Sequence, residues 1–167
     1  NILSTFLRKR IQLINDATKI EAVFTLPFDS LENNKSFRNR LGVENSMIFD
    51  IGCYMYDFIW CLGISNNHFQ IYEKKFLENG KLAFLFLKSK SKHNSQKIFL
   101  KFGYSQNYHN EIKFISKYNI SYTLKPFFYG RKSEVEIELM NIKKKFAKKY
   151  INKNCFVKMI DDWYENK

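Results

Sequence analysis

A carboxylate and a phenol stand four residues apart in the most apolar segment of this sequence. Asp50 and Tyr54 lie within 47–63 (MIFDIGCYMYDFIWCLG), and on a helix that spacing places both side chains on one side, one turn apart. A carboxylate in so apolar a helix must find a partner or take up a proton. We therefore predict that Asp50 and Tyr54 carry the chemistry of the protein. The alternative is a satisfied buried hydrogen bond inside a scaffold helix.

The side chains of 47–63 separate into two faces at about 100° per residue, which is the pattern of a helix packed in a core. The apolar face comprises Met47, Ile48, Ile51, Met55, Phe58, Ile59 and Leu62. The polar face comprises Ser46, Asp50, Cys53, Tyr54, Asp57 and Cys61. Gly63 stands where a helix commonly ends. We expect one buried helix that stops at Gly63.

The composition is that of a folded chain without a membrane span. The 167 residues are 45% hydrophobic and 17% aromatic, which excludes a disordered protein and suits one domain with a core. No apolar run reaches ~18 residues, and the N-terminus lacks a signal-peptide pattern. Three cysteines without a CxxC motif favour a reduced, cytoplasmic compartment. Because the sequence does not begin with Met, we expect a fragment or a processed chain.

The net charge of +12 has two interpretations. A basic surface can bind nucleic acid or an anionic membrane. Alternatively, dispersed lysines simply solvate the surface. The densest run, Lys143 to Lys149, is interrupted by Phe146 and Ala147, and no nucleic-acid-binding motif accompanies it. We favour the solvated surface and expect neither a membrane nor a nucleic-acid partner.

The order of predicted elements indicates an α+β fold. Amphipathic spacing predicts helices over 2–15 and 154–164, and a strand covers 19–28 before a polar loop over 29–45. Alternating or apolar runs predict strands over 68–76, 82–90, 97–105, 110–118 and 120–125, with a further candidate at 134–139. Because no helix intervenes, we expect these strands to form an antiparallel meander.

Several common sites are absent from the sequence. The six glycines are never close enough to form GxGxxG or a P-loop, so we expect no cofactor-binding residues in this chain. His68, His93 and His109 have no acidic or cysteine companion at metal-ligand spacing, so we expect no metal site. No GxSxG elbow or Cys/His pair indicates a nucleophile.

The segment 41–63 resembles the GGGxxxDxGxH/YxxD…LG motif of the glucose–fructose oxidoreductase / inositol dehydrogenase / MocA family, through its Asp50-Ile51-Gly52-Cys53-Tyr54 core. Residues 5–28, 98–128 and the closing helix resemble the same family at the level of pattern. The resemblance implies that 1–167 is a single substrate-side, C-terminal domain and that the N-terminal Rossmann domain is absent. It also implies an open, mostly antiparallel β-sheet with helices packed on one face and a homodimer through the other face.

The resemblance further implies the chemistry. Complete enzymes of this family transfer hydride between NAD or NADP and a sugar or polyol carbon. A lysine of the Rossmann domain and an acid plus His or Tyr of this domain handle the hydroxyl proton. By that correspondence Asp50 is the acid and Tyr54 takes the His/Tyr position, with Arg38, Arg40 and Asp57 as candidates for substrate contact. We expect no activity from the chain alone. The rival interpretation is a non-catalytic binding or assembly module, either a relic of the family without its nucleotide domain or a basic surface that docks polyanions.

Overall fold

The computed structural model describes residues 15–32, 47–64, 69–89, 96–118, 120–127, 133–141 and 144–152. The chain divides into two compact units. The first unit comprises Lys19–Asn110, and the second comprises Asn1–Thr18 with Glu111–Lys167. The expectation that 1–167 forms one substrate-side domain stays a prediction.

The first unit is a four-stranded sheet with helical segments. Its strands are β1 (Ala17–Pro27), β2 (Phe69–Phe76), β3 (Leu82–Ser89) and β4 (Lys97–Ser105), in the order β2-β3-β4-β1. The pairs β2–β3 and β3–β4 are antiparallel, whereas β1 and β4 are parallel, with Val23 opposite Lys101. The helical segments are α1 (Asp29–Glu32), a π-helical turn (Ile48–Gly52) and α2 (Cys53–Cys61).

The predicted continuous meander is therefore wrong after β4. The strand beside β4 is β1, which comes much earlier in the sequence and runs parallel to β4. Alternating hydrophobicity identifies a strand and its buried face but carries no information about the neighbouring strand. A parallel pair needs a long crossover connection, and here that connection contains α1, α2, β2 and β3.

The helical segments pack on one face of this sheet. Ile98, Leu100, Phe102 and Tyr104 are buried at alternate positions of β4, and Ile20, Ala22 and Phe24 are buried in β1. The apolar side chains Met47, Ile51, Met55, Phe58 and Ile59 are buried on the helical side. Alternation in the strands and the helical period in 47–61 thus bury matching apolar faces, which is the α+β packing that the sequence predicts.

The helix over 47–63 is confirmed, but its predicted apolar face is partly wrong. Ile48 is exposed, as are the aromatic side chains of Phe49, Tyr56 and Trp60. The π-helical turn Ile48–Gly52 has a wider period than an α-helix, so the residues within it rotate away from the face that an α-helical wheel assigns to them. The segment is a one-sided surface helix and not a fully buried one.

The second unit is an antiparallel sheet. Its strands β5 (His109–Ser116), β6 (Ser121–Lys125), β7 (Ser133–Asn141) and β8 (Lys144–Asn152) follow one another in the order β5-β6-β7-β8. Ile112 pairs with Leu124, and Glu136 pairs with Lys149. The candidate strand at 134–139 is confirmed as β7. Strand β8 was not predicted, because its lysines were interpreted as part of a solvent-exposed charged segment.

The predicted fold class is confirmed: the fold is α+β, with an open and mostly antiparallel sheet. Residues 15–16 are helical; the rest of the predicted helix 2–15 and the predicted helix 154–164 lie outside the described residues. Within the ranges given above, no helix combines the length and apolar character that a membrane crossing requires.

Candidate functional site

Asp50 lies on the π-helical turn, where its carboxylate meets a buried tyrosine of β4. The Tyr104 hydroxyl donates a hydrogen bond to Asp50 Oδ2 at 2.8 Å. Tyr104 is only 4% exposed, whereas Asp50 is half-buried. A buried phenol needs a hydrogen-bond partner, and a half-buried carboxylate needs a donor, so each group satisfies the other.

The π-helical turn can approach β4 because Gly52 carries no side chain. A Cβ at Gly52 would lie 3.2 Å from Phe102 Cε2, which is tighter than ordinary packing. Phe102 and Tyr104 are two residues apart on one face of β4, just as Asp50 and Gly52 are two residues apart on the turn. The close contact at Gly52 therefore sets the distance at which Asp50 meets Tyr104.

Gly103, between those two side chains, has a backbone conformation that favours glycine. Its φ is +135°, and a Cβ there would overlap the Ala83 carbonyl oxygen and lie 2.7 Å from Phe84 Cα. Strand β3 thus approaches the backbone of β4 at the residue that separates Phe102 from Tyr104. This approach fixes the path of β4 where β4 presents its hydroxyl to Asp50.

Tyr54 is on the first turn of α2 and is far more accessible than Tyr104. Its side chain is 41% exposed. Its ring packs edge-on against Phe24 of β1, with centroids 5.2 Å apart and planes at 84°. An edge-to-face contact of this kind anchors the ring while part of the side chain stays open to solvent. Of the two tyrosines at this site, Tyr54 is the one open to solvent.

Cys53 and Asp57 occupy the same exposed side of α2. The Cys53 thiol donates to the Asp50 carbonyl oxygen at 3.7 Å. Burial raises the pKa of the Cys53 thiol above its usual value, and the charges of Asp50 and Asp57 raise it further. The thiol is therefore a poor nucleophile at neutral pH. Arg38 and Arg40 lie outside the described residues.

An apolar cavity of about 210 Å³ opens beside the π-helical turn. Ile48, Gly52 and Tyr56 line it on the helical side, and Phe69 and Leu87 line it on the sheet. In the part of the chain that the structure describes, no three His, Cys, Asp or Glu side chains converge to hold a metal ion.

Sequence reasoning missed Tyr104, although a signal was present. Alternation in KIFLKFGYS places Tyr104 on the buried face of the predicted strand 97–105, together with Ile98, Leu100 and Phe102. A tyrosine on a buried face implies a hydrogen-bond partner for its hydroxyl. Identifying that partner requires the tertiary fold, because Asp50 is 54 residues away in the sequence.

Comparison with solved structures finds the same fold in a 3-ketoreductase. The 3-ketoreductase KijD10 from Actinomadura kijaniata, in complex with NADP and TDP-benzene, matches 95% of this chain with a TM-score of 0.69 and 13% identity. A tyrosine-to-phenylalanine mutant of KijD10 matches 95% with a TM-score of 0.71 and 12% identity. A lysine-to-alanine mutant matches 99% with a TM-score of 0.65 and 12% identity.

The matched region is about half of each KijD10 chain, between 49% and 51%. At this level of identity the similarity demonstrates a shared fold. No family model matches the sequence. No curated protein matches it either.

Proposed function

We propose that this chain is the substrate-side domain of an NAD(P)-dependent oxidoreductase that acts on a sugar or polyol. One observation carries the proposal: Asp50 is held by Tyr104 on a π-helical turn, one turn before the half-exposed Tyr54. A carboxylate and an accessible phenol at that spacing are suited to proton transfer at a substrate oxygen. The fold shared with a 3-ketoreductase crystallised with NADP and TDP-benzene supports the same class.

In this proposal Tyr54 gives a proton to, or takes one from, the substrate oxygen, and Asp50 acts with it as the acid of the pair. Asp57, exposed on α2, is a candidate for substrate contact, as are Arg38 and Arg40. The sequence has no glycine-rich turn between a strand and a helix, so this chain does not supply a pyrophosphate cradle. The nicotinamide cofactor, which supplies hydride chemistry when bound, would be held by residues outside this chain.

Substitution within the pair tests the proposal in the full-length protein. Asp50→Asn should lower turnover by about 10²-fold or more, the scale of a positioned acid–base group. Tyr54→Phe should act in the same direction, and the double mutant should fall well short of additivity because the two groups act together. Tyr56→Phe is the matched control, since Tyr56 is exposed on the same helix. Unchanged turnover with Asp50→Asn, accompanied by a lower Tm, would make the carboxylate structural.

Cofactor binding by the isolated chain gives an independent test. Because no cradle for the pyrophosphate is present in the sequence, calorimetric titration with NADP should give no binding in the micromolar range. A micromolar Kd would mean that the chain contains a nucleotide site of another design. The proposed division between a substrate side and a cofactor side would then be wrong.

A polyanion-binding module is the second candidate, and one surface of the first unit favours it. We call this surface the lysine face; it lies on the side of β1–β4 opposite the helices. It comprises Lys19, Glu21, Tyr72, Glu73, Lys75, Phe84, Phe86, Lys88, Lys97, Phe99 and Lys101. Glu21 pairs with Lys19 at 2.7 Å, and Glu73 pairs with Lys75 at 3.2 Å. Lys88, Lys97 and Lys101 have no carboxylate within 4.0 Å among the described side chains.

Heparin and single-stranded DNA are suitable probes for this second candidate. If the lysine face docks polyanions, both should bind and their affinity should fall steeply with salt. The double substitution Lys88→Gln/Lys101→Gln should weaken binding, whereas Lys117→Gln, exposed in the second unit, should not. Equal losses per charge removed, two in the double variant and one in Lys117→Gln, would indicate nonspecific attraction to the net charge of +12.

A further inference from the structure

We propose that Tyr104 is the positioning residue of the Asp50–Tyr54 site. Its buried hydroxyl holds the Asp50 carboxylate in one orientation, while the accessible Tyr54 meets the substrate. This division of labour between two tyrosines rests on the proposed oxidoreductase function. It assigns a role to a residue that lies outside the sequence motif.

The difference in burial separates the roles of the two phenols. Tyr104 is 4% exposed, and its side chain extends from β4 toward the π-helical turn. Tyr54 is 41% exposed, and its ring is anchored on Phe24 in β1. A substrate can approach Tyr54 from solvent, but it cannot reach the Tyr104 oxygen without opening the contact between turn and strand. The hydrogen bond to Asp50 therefore links the buried Tyr104 to the proposed site.

The hydrogen bond to Asp50 is well suited to fixing a side chain. A phenol O–H can donate to a carboxylate oxygen, and the distance of 2.8 Å from Tyr104 Oη to Asp50 Oδ2 is the usual one for an O–H···O hydrogen bond. The donor end of this bond is buried, since Tyr104 is 4% exposed, whereas Asp50 is half-buried. Asp50 is consequently oriented by a donor whose own position is set by the sheet.

The backbone around Tyr104 leaves that donor little freedom. Gly103, with φ of +135°, is in close contact with β3, so the strand cannot shift without breaking this contact. On the opposite side, Phe102 is so close to Gly52 that a Cβ there would lie 3.2 Å from Phe102 Cε2, which is tighter than ordinary packing. Two adjacent contacts, Phe102 with Gly52 and Tyr104 with Asp50, therefore hold the π-helical turn against β4. The second contact is the one that touches the proposed acid.

Carboxyl-carbon NMR of Asp50 tests the positioning role without any assay of activity. In the unmutated protein, the Asp50 carboxyl resonance should differ between H₂O and D₂O, because the Tyr104 hydroxyl proton is exchanged. Tyr104→Phe should abolish that isotope difference and displace the resonance. Tyr54→Phe should keep an isotope difference at the Asp50 carboxyl carbon, because the Tyr104 hydroxyl is still present. Tyr72→Phe, on the lysine face, is the control and should change neither.

Kinetics of the full-length protein then separate positioning from simple stability. Tyr104→Phe should lower kcat by about 10- to 100-fold, the scale on which the partners of a catalytic group act, with KM within about twofold. Tyr54→Phe should change both kcat and KM if it meets the substrate. An Asp50 resonance that ignores Tyr104→Phe overturns the positioning proposal. So does an unchanged kcat for Tyr104→Phe in a protein that Asp50→Asn inactivates.

Failure of the proposed function gives a different pattern. If Asp50→Asn leaves turnover intact, the catalytic assignment is lost whatever Tyr104 does. If the Asp50 resonance still responds to Tyr104→Phe in that case, the hydrogen bond between them is structural. The positioning proposal then fails together with the proposed function, because Asp50 is not catalytic. The NMR and kinetic results therefore identify which of the two proposals has failed.

Discussion

The two faces of the four-stranded sheet in the first unit are built on different principles. On the helical face, Phe102 touches the turn at Gly52, and Tyr104 bonds Asp50 at 2.8 Å. On the lysine face, cations lie over rings: Lys101 Nζ is 4.9 Å from the centroid of Phe86, and Lys19 Nζ is 5.1 Å from that of Phe99. One face depends on close, specific contacts, and the other depends on many weak ones.

This difference determines how each face should respond to substitution. A close-packed contact between backbones or rings has no room to relax, so its loss or overcrowding costs several kcal/mol. An exposed cation–π contact contributes about 0.5–1 kcal/mol, and neighbouring lysines can take its place. We therefore expect large, localised effects on the helical face and small, distributed effects on the lysine face.

The largest effect should come from Gly103→Ala. The new Cβ would overlap the Ala83 carbonyl oxygen and lie 2.7 Å from Phe84 Cα, in a conformation with φ of +135°. Strain and overpacking together should lower the free energy of unfolding by more than about 3 kcal/mol, and the soluble yield should fall. Urea denaturation followed by circular dichroism measures the change.

Gly80→Ala is the matched control for Gly103→Ala. Gly80 also has a positive φ, of +78°, but a Cβ there would meet nothing within 4 Å. Only the backbone strain remains, so the cost should be about 1–2 kcal/mol. If the two variants lost equal stability, the close approach of β3 to β4 would not be the cause.

The next effect should come from Phe58→Ala on the buried side of α2. Phe58 is 0% exposed, and its removal should cost about 3–5 kcal/mol through lost burial and the cavity left behind. Trp60→Ala removes a larger ring from the same helix, but Trp60 is 73% exposed, so the change should stay within about 0.5 kcal/mol. A large loss with Trp60→Ala would mean that another part of the protein covers this side of α2.

The sequence predicts what depends on local patterns. Strand 97–105 coincides with β4 (Lys97–Ser105), and 120–125 differs by one residue from β6 (Ser121–Lys125), because alternation of side chains is a property of the strand itself. Segment 47–63 reads as helical because Met55, Phe58 and Ile59, which are buried in α2, have the helical spacing. The α+β class follows from the order of these elements.

Features that depend on distant partners could not be predicted from the sequence. The parallel pairing of β1 with β4 joins segments separated by the whole helical region. The outward rotation of Ile48 comes from a π-helical turn, which leaves no local signature in the residues. The hydrogen bond between Tyr104 and Asp50 depends on the π-helical turn and on the position of β4, so it could not be predicted either. Arg38 and Arg40, outside the described residues, stay predictions.

A homodimer through the open sheet face also stays a prediction, and the lysine face sharpens it. If two copies meet face to face there, Lys88, Lys97 and Lys101 of each approach like charges. Raising the salt concentration should then lower the dissociation constant of the dimer a few-fold, because the Debye length falls to ~3 Å at 1 M and the repulsion between lysines is screened. Sedimentation equilibrium over a salt series measures this. Lys88→Gln/Lys101→Gln should tighten it at low salt, with Lys117→Gln as control; weakening by salt would exclude this mode of association.

The smallest effect concerns Cys53, whose alkylation reports on the charge of Asp50 within the helical face. Burial raises the pKa of this thiol first, and the negative charges of Asp50 and then Asp57 raise it further. A raised pKa means less thiolate at a given pH, so iodoacetamide should react slowly at pH 8 and faster as the pH rises. Asp50→Asn removes one of the charges that raise the pKa and should speed alkylation at pH 8 a few-fold, while desolvation, the larger cause, keeps the pKa of the thiol raised. Asp57→Asn should give a smaller increase, because its charge is the weaker influence.

Peptide-level mass spectrometry separates Cys53 from Cys61 and Cys155. Equal rates in all three proteins would mean that neither carboxylate influences the reactivity of the thiol.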